Sequence, residues 1–130
     1  QRQMCIRDRQ LIVERDIIGH VCRIAPAFAA RVERFDRFDF IGNVRAIGLI
    51  GAMEFCADRR SGGKFDPSHK IAAKAVAKIQ EHGVILRALP GDIVGFCPPL
   101  IINEDELHDL FDQVELAMDA MQSIADEIRT

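Results

Sequence analysis

Apolar residues recur at steps of three and four along the first third of the chain: Ile17, Ile18, Val21, Ile24, Phe28 and Val32, with Arg15, Arg23, Arg31 and Arg34 between them. An α-helix uses this period to gather apolar side chains on one face. The helical pattern begins near Leu11, and Asp16 suits an N-cap, because a short carboxylate accepts from a first-turn N–H. Pro26 lacks that donor and predicts a kink or a restart. Phe35-Asp36-Arg37-Phe38-Asp39-Phe40 follows neither period and predicts a loop held by aromatic anchors. Residues 41–43 then lead into a strand.

From Val44 to Cys56 the chain is apolar on both faces, the pattern of one central strand. Gly48 and Gly51 inside it mark a bulge or the close approach of another segment. Glu54, near the strand end, is either a catalytic carboxylate or, the commoner case, the partner of an arginine or of water. Residues 58–64 form a polar, glycine-rich loop, and residues 58–65 are the expected point for proteolytic nicking. Its Ser61-Gly62-Gly63-Lys64 lacks the Gly-x-x-x-x-Gly-Lys-Ser/Thr spacing of a phosphate loop.

Asp66-Pro67 signals another helix start. Ile71, Ala72, Ala75, Val76 and Ile79 share one face of this helix, and Lys70, Lys74 and Lys78 form its solvated side. Gly83 closes it as a left-handed cap. Residues 83–100 read as two short strands folded back at Pro90-Gly91 and ended by Pro98-Pro99. Asn103 and Glu106 make a capping box. From Leu107 through Phe111, Val114, Met118 and Met121 to Ile128 one apolar stripe continues. The order is helix, strand, helix, hairpin, helix, which predicts an α+β fold with helices on one face of a small, mainly antiparallel sheet.

Composition narrows the function classes. Seventeen Lys and Arg against twenty Asp and Glu leave a net charge of −3, which argues against nucleic acid or an anionic membrane as partner. The most apolar stretch, residues 46–57, is too short for a bilayer and is broken by Glu54. With no export signal, a cytoplasmic protein is expected. Cys5, Cys22, Cys56 and Cys97 lie far apart, so buried thiols in a reducing compartment are expected, with neither disulfides nor a metal site. His20 has no metal-spaced partner and reads as a solvent-edge histidine. Residues 1–10 read as a non-native or disordered leader, since Met4 to Arg9 resembles a translated sequencing adaptor. The domain proper then spans residues 11–130.

Arg87 is the only charge between Gly83 and Asp92. A guanidinium in an apolar ribbon calls for a carboxylate or phosphate partner. That partner is either a ligand or an internal acid, Glu54 or a helix carboxylate.

An ordered set of segments carries a family resemblance. Asn43 to Phe55, Gly83 to Arg87, Gly91-Asp92-Ile93 and Cys97-Pro98-Pro99-Leu100 resemble the small C-terminal domain of class-III aminotransferases, in particular ω-amino-acid–pyruvate aminotransferases. The resemblance implies a fold-type-I, pyridoxal-phosphate-dependent homodimer. Such an enzyme moves an amino group between an amine or ω-amino acid and a keto acid such as pyruvate. It places at Arg87 an arginine that grips the substrate carboxylate and swings aside for amines lacking one. It assigns no catalytic, cofactor-binding or metal residue to this chain: pyridoxal phosphate and its Schiff-base lysine belong to a preceding large domain. The piece alone is then inactive, and Val21, Ile24 and Phe28 are left partly bare for that domain. The alternatives are a free-standing module that binds an amino acid or other carboxylate, and a purely structural domain.

Overall fold

The computed structural model of the chain describes residues 2–129. Helix α1 (Arg2–Glu14) carries no buried residue. Asp16 takes a left-handed conformation and its side chain accepts from the Gly19 N–H, which starts α2 (Ile17–Glu33). Pro26 neither ends nor restarts α2, because Ile24, Phe28 and Val32 around it are buried. Their burial offsets the one backbone bond that proline removes.

The aromatic run does not form a loop. Arg34–Arg37 is a 3-10 turn, whose three-residue period stacks Phe35 and Phe38 with centroids 6.4 Å apart. The expected single strand is a hairpin instead, β1 (Ile41–Ile47) and β2 (Ile50–Phe55). Gly48, at φ 58°, occupies the first position of a two-residue turn between the paired Ile47 and Ile50. Only glycine adopts that conformation there without strain. Its apolar flanks hide the turn from a hydropathy pattern. The bulge falls at Gly42, where the β1 register shifts. Gly51 serves close approach, since a Cβ there would stand 3.1 Å from both Phe28 and Val32 of α2.

Asp66 caps a 3-10 turn, Pro67–His69, by accepting from the Ser68 N–H. Lys70 is left-handed and starts α3 (Ile71–Glu81). Gly83, at φ 85°, ends it. Residues 84–86 run extended without pairing, so β3 is only Arg87–Leu89, joined through residues 90–92 to β4 (Ile93–Phe96). In α4 (Glu104–Arg129) the capping box forms in both directions, Glu106 N–H to Asn103 Oδ1 at 2.8 Å and Asn103 N–H to Glu106 Oε2 at 3.0 Å.

The sheet order is β1-β2-β4-β3, antiparallel at every joint. Gly51, Met53, Phe55, Val94 and Phe96 point into a core shared with α2, α3 and α4. At its centre Phe111 meets Phe96 at 5.4 Å and Phe28 at 5.5 Å. Each such buried ring contributes about 1.5–3 kcal/mol over leaving it exposed. The fold is α+β with the helices on one sheet face. Phe28 and Ile24 are buried and Val21 is half-buried, so α2 is not left bare. The apolar side chains that face solvent instead include Ile18, Ile47, Ile50, Ile85 and Ile101. Among the described residues no helix is long and apolar enough to cross a membrane.

Candidate active-site portion

Arg87 stands where two pieces of local chemistry meet. Upstream, Gly83 turns the chain out of α3, and Val84 and Leu86 anchor the extended segment on the core. Downstream, Arg87 pairs with Gly95 of β4. A Cβ at Gly95 would lie 3.2 Å from Leu89 Cδ1, so the missing side chain lets Leu89 lie across β4.

The Arg87 side chain is exposed. It makes no hydrogen bond or ion pair with any described residue. The internal ion pair that the sequence leaves open does not form. Glu54 is held at 3.4 Å by Arg45 and at 3.6 Å by Lys64, which settles the strand-end glutamate as an ion-pair residue in this structure.

Two depressions share Arg87. One, of about 870 Å³, lies between residues 83–87, the segment after β4, and α4, with Glu106, Asp109 and Gln113 on its far wall. The other, of about 400 Å³, lies on the open sheet face. No lysine lines either among the described residues. Lys64 is paired with Glu54, Lys78 with Glu81, and Lys70 starts α3. Depressions that offer no amine for an aldehyde do not by themselves fit pyridoxal phosphate. Among the described residues no three metal-ligating side chains come together.

The cysteines depart from expectation. Only Cys56 is buried, and burial pushes its thiol pKa up. Cys5 and Cys22 lie on outward helix faces, and Cys97 lines both depressions beside Arg87. His20 is half-buried, and its Nε2 donates to the Ile102 carbonyl at 2.8 Å.

Sequence reasoning missed a buried charge cluster between α2 and α4. Arg31, 7 % exposed, donates to Asp112 and to Glu115 at 3.1 Å, and Arg34 reaches Glu115 at 2.9 Å. Arg31 Nη1 also lies 3.1 Å from His108 Nδ1; a guanidinium cannot accept, so Nδ1 presents its lone pair. The Arg31 hydrogen bond holds the Asp112 carboxyl below its usual range. The signal was present as arginines at 31 and 34, at the end of α2 and just past it, and acids at 112, 115 and 119 on α4. Their pairing across the fold depends on topology that no single helix reveals.

The family model for aminotransferase class-III matches residues 5–118. An uncharacterized aminotransferase of Sinorhizobium fredii is 35% identical over 120 residues, covering 91% of this chain and 25% of the relative. Gamma aminobutyrate transaminase 3 of Solanum lycopersicum is 30% identical over 117 residues, covering 90% of this chain and 22% of the relative. The crystal structure of an omega-transferase from Vibrio fluvialis superposes with a TM-score of 0.84 at 28% identity, over 89% of this chain and 27% of that one. PMP-bound and PLP-bound forms of an aminotransferase from the same organism superpose at 0.82 and 0.83. An α+β unit so matched is a domain of the transaminase class. The chain belongs to the class-III aminotransferase family, whose cofactor is pyridoxal phosphate, and spans about a quarter of the length of these relatives.

Proposed function

We propose that the chain is the small domain of a transaminase that moves an amino group between an amine or ω-amino acid and a keto acid such as pyruvate. In this reading Arg87 grips the substrate carboxylate. The carrying observation is a guanidinium that is exposed at a cleft and unpaired among the described residues. A two-pronged donor held without an internal acid is suited to an incoming carboxylate. Relatives named as gamma-aminobutyrate transaminases and a neighbour titled "Transaminase with L-ala" support amino acids as substrates.

The amine that anchors pyridoxal phosphate and the groups that hold its phosphate then come from a large domain beyond these 130 residues. The full protein is a cytoplasmic homodimer, and the chain alone does not transaminate. Residues 1–10 stand outside the domain, which starts at residue 11; the exposure of residues 2–10, against the partly buried Leu11 and Ile12, supports this boundary. Deleting residues 1–10 should leave the melting temperature unchanged within about 2 °C, and a larger drop would move the boundary upstream.

The chain joined to a matching large domain tests the role of Arg87. Arg87→Ala should raise KM for pyruvate by about tenfold or more, the loss of one charge-assisted carboxylate contact. Turnover of an amine donor lacking a carboxylate should be spared. Equal losses for both substrate types would remove Arg87 from this role.

A further inference from the structure

Two histidines tie α2 to the beginning of α4, and they do so with opposite polarity. His20 Nε2 donates to the Ile102 carbonyl at 2.8 Å. A carbonyl only accepts, so this bond survives a second proton on the ring. His108 Nδ1 lies 3.1 Å from Arg31 Nη1. A guanidinium only donates, so here the ring must accept. This second bond requires a neutral His108 with its one proton on Nε2.

Arg31 is fixed. It is 7 % exposed, and its Nη2 donates to Asp112 and, at 3.1 Å, to Glu115. Its guanidinium carbon also stands 5.6 Å from the centroid of the Phe111 ring. His108 is freer, with 43 % of its side chain exposed and its Nε2 toward Glu104 Oε1 at 3.7 Å. The other charges of the cluster are paired, Arg34 with Glu115 at 2.9 Å and Arg37 with Asp119 at 3.2 Å.

A second proton on His108 sets Nδ1–H against Nη1–H, donor to donor and cation to cation. Asp112, Glu115 and Glu104 favour an imidazolium in their midst, but Asp112 and Glu115 are already spent on Arg31. Glu104 is the acceptor still open to the ring, one turn back on the same helix. The proton therefore changes which element His108 is bonded to.

We propose that His108 is a pH-sensitive latch: neutral, it ties the first turns of α4 to α2 through Arg31, and protonated, it lets go of Arg31 and turns to Glu104. The same turns carry Glu106 and Asp109, on the wall of the cleft that faces Arg87. That wall is held fast above the histidine range and loosened below it. The latch works the same way whatever Arg87 binds.

Imidazole NMR and hydrogen exchange of the 130-residue chain test it at about pH 7.5 and about pH 5.5, either side of the ordinary imidazole value near 6.5. At the higher pH His108 should be the Nε2–H tautomer. At the lower pH the Arg31 Nη protons should exchange at least about tenfold faster in the parent than in His108→Gln, the loss of one charge-assisted bond. The glutamine oxygen accepts from Arg31 and does not titrate, so its latch stays closed at both values. The amides of residues 108–110 should follow the same pattern. Glu104→Gln, which removes the charge that draws the open ring, should move the release to lower pH. An Nδ1–H tautomer at the higher pH overturns the latch without any variant. Equal Arg31 exchange in the parent and His108→Gln at the lower pH overturns it as well, and a release unmoved by Glu104→Gln rules out the open state.

Discussion

At Gly51 the absence of a side chain sets how closely α2 can lie on the sheet. The ring of Phe28 and a methyl of Val32 occupy the space a Cβ would take, both at 3.1 Å, and both residues are fully buried. Phe28 cannot move aside without disturbing its edge-to-face contact with Phe111. Gly51→Ala is therefore an overpacking change, expected to cost about 1–3 kcal/mol. A urea midpoint equal to that of the parent chain would show that the helix tolerates the shift. The same residue shows where sequence reading reaches its limit. Gly48 and Gly51 lie in one apolar run, and both marked a bulge or a close approach. In fact Gly48 makes a turn that needs a positive φ, and Gly51 makes room for a helix. Hydropathy registers neither, because backbone sign and neighbour distance leave no trace in apolar patterning. Arg87 was legible for the opposite reason: a charge in a greasy ribbon is a mismatch that sequence displays directly.

Between elements, polar contacts join the apolar ones in fixing α4. Arg31 spans from α2 to Asp112 and Glu115 and lies over the Phe111 ring at 5.6 Å. Arg31→Ala removes buried charge-assisted bonds and packing, although Arg34 still neutralises Glu115. The expected loss is about 2–3 kcal/mol, read as a lowered urea midpoint. The far end of α4 is fastened in the same way. Arg129 donates to Asp39 at 2.8 Å, and that bond is the main reason the Asp39 carboxyl titrates below its ordinary 3.8. Asp112 is lowered likewise, chiefly by Arg31. A lowered native pKa means that the unfolded chain binds protons first. The stabilisation is complete above the unfolded carboxylate pKa and is lost as pH falls through the native values. Stability should decline from about pH 4 downward, and Asp39→Asn with Asp112→Asn should flatten that acid limb. An acid limb unchanged by both substitutions would place the lost protons elsewhere. The helices themselves were legible from period and caps, down to the Asn103–Glu106 box. Their partners were not, because residues 31 and 115 become neighbours only through the fold.

Across the whole molecule, two local hairpins, β1–β2 and β3–β4, meet along a single line of pairing between β2 and β4. The first hairpin was read as one strand, yet the fold class survived, because its two members still offer one apolar face to the same helices. The arrangement divides the chain into complementary halves. Residues before the Asp58–Gly63 bridge supply α2 and half of the sheet; those after it supply the other half, α3 and α4. Four backbone pairs, the edge-to-face Phe28–Phe111 contact and the Arg31 ion pairs all run from one half to the other. A single cut between Arg60 and Ser61 would thus yield two pieces that hold each other in native register and elute together in gel filtration. Separate elution would show that covalent continuity, rather than the zipper between the halves, keeps the molecule whole.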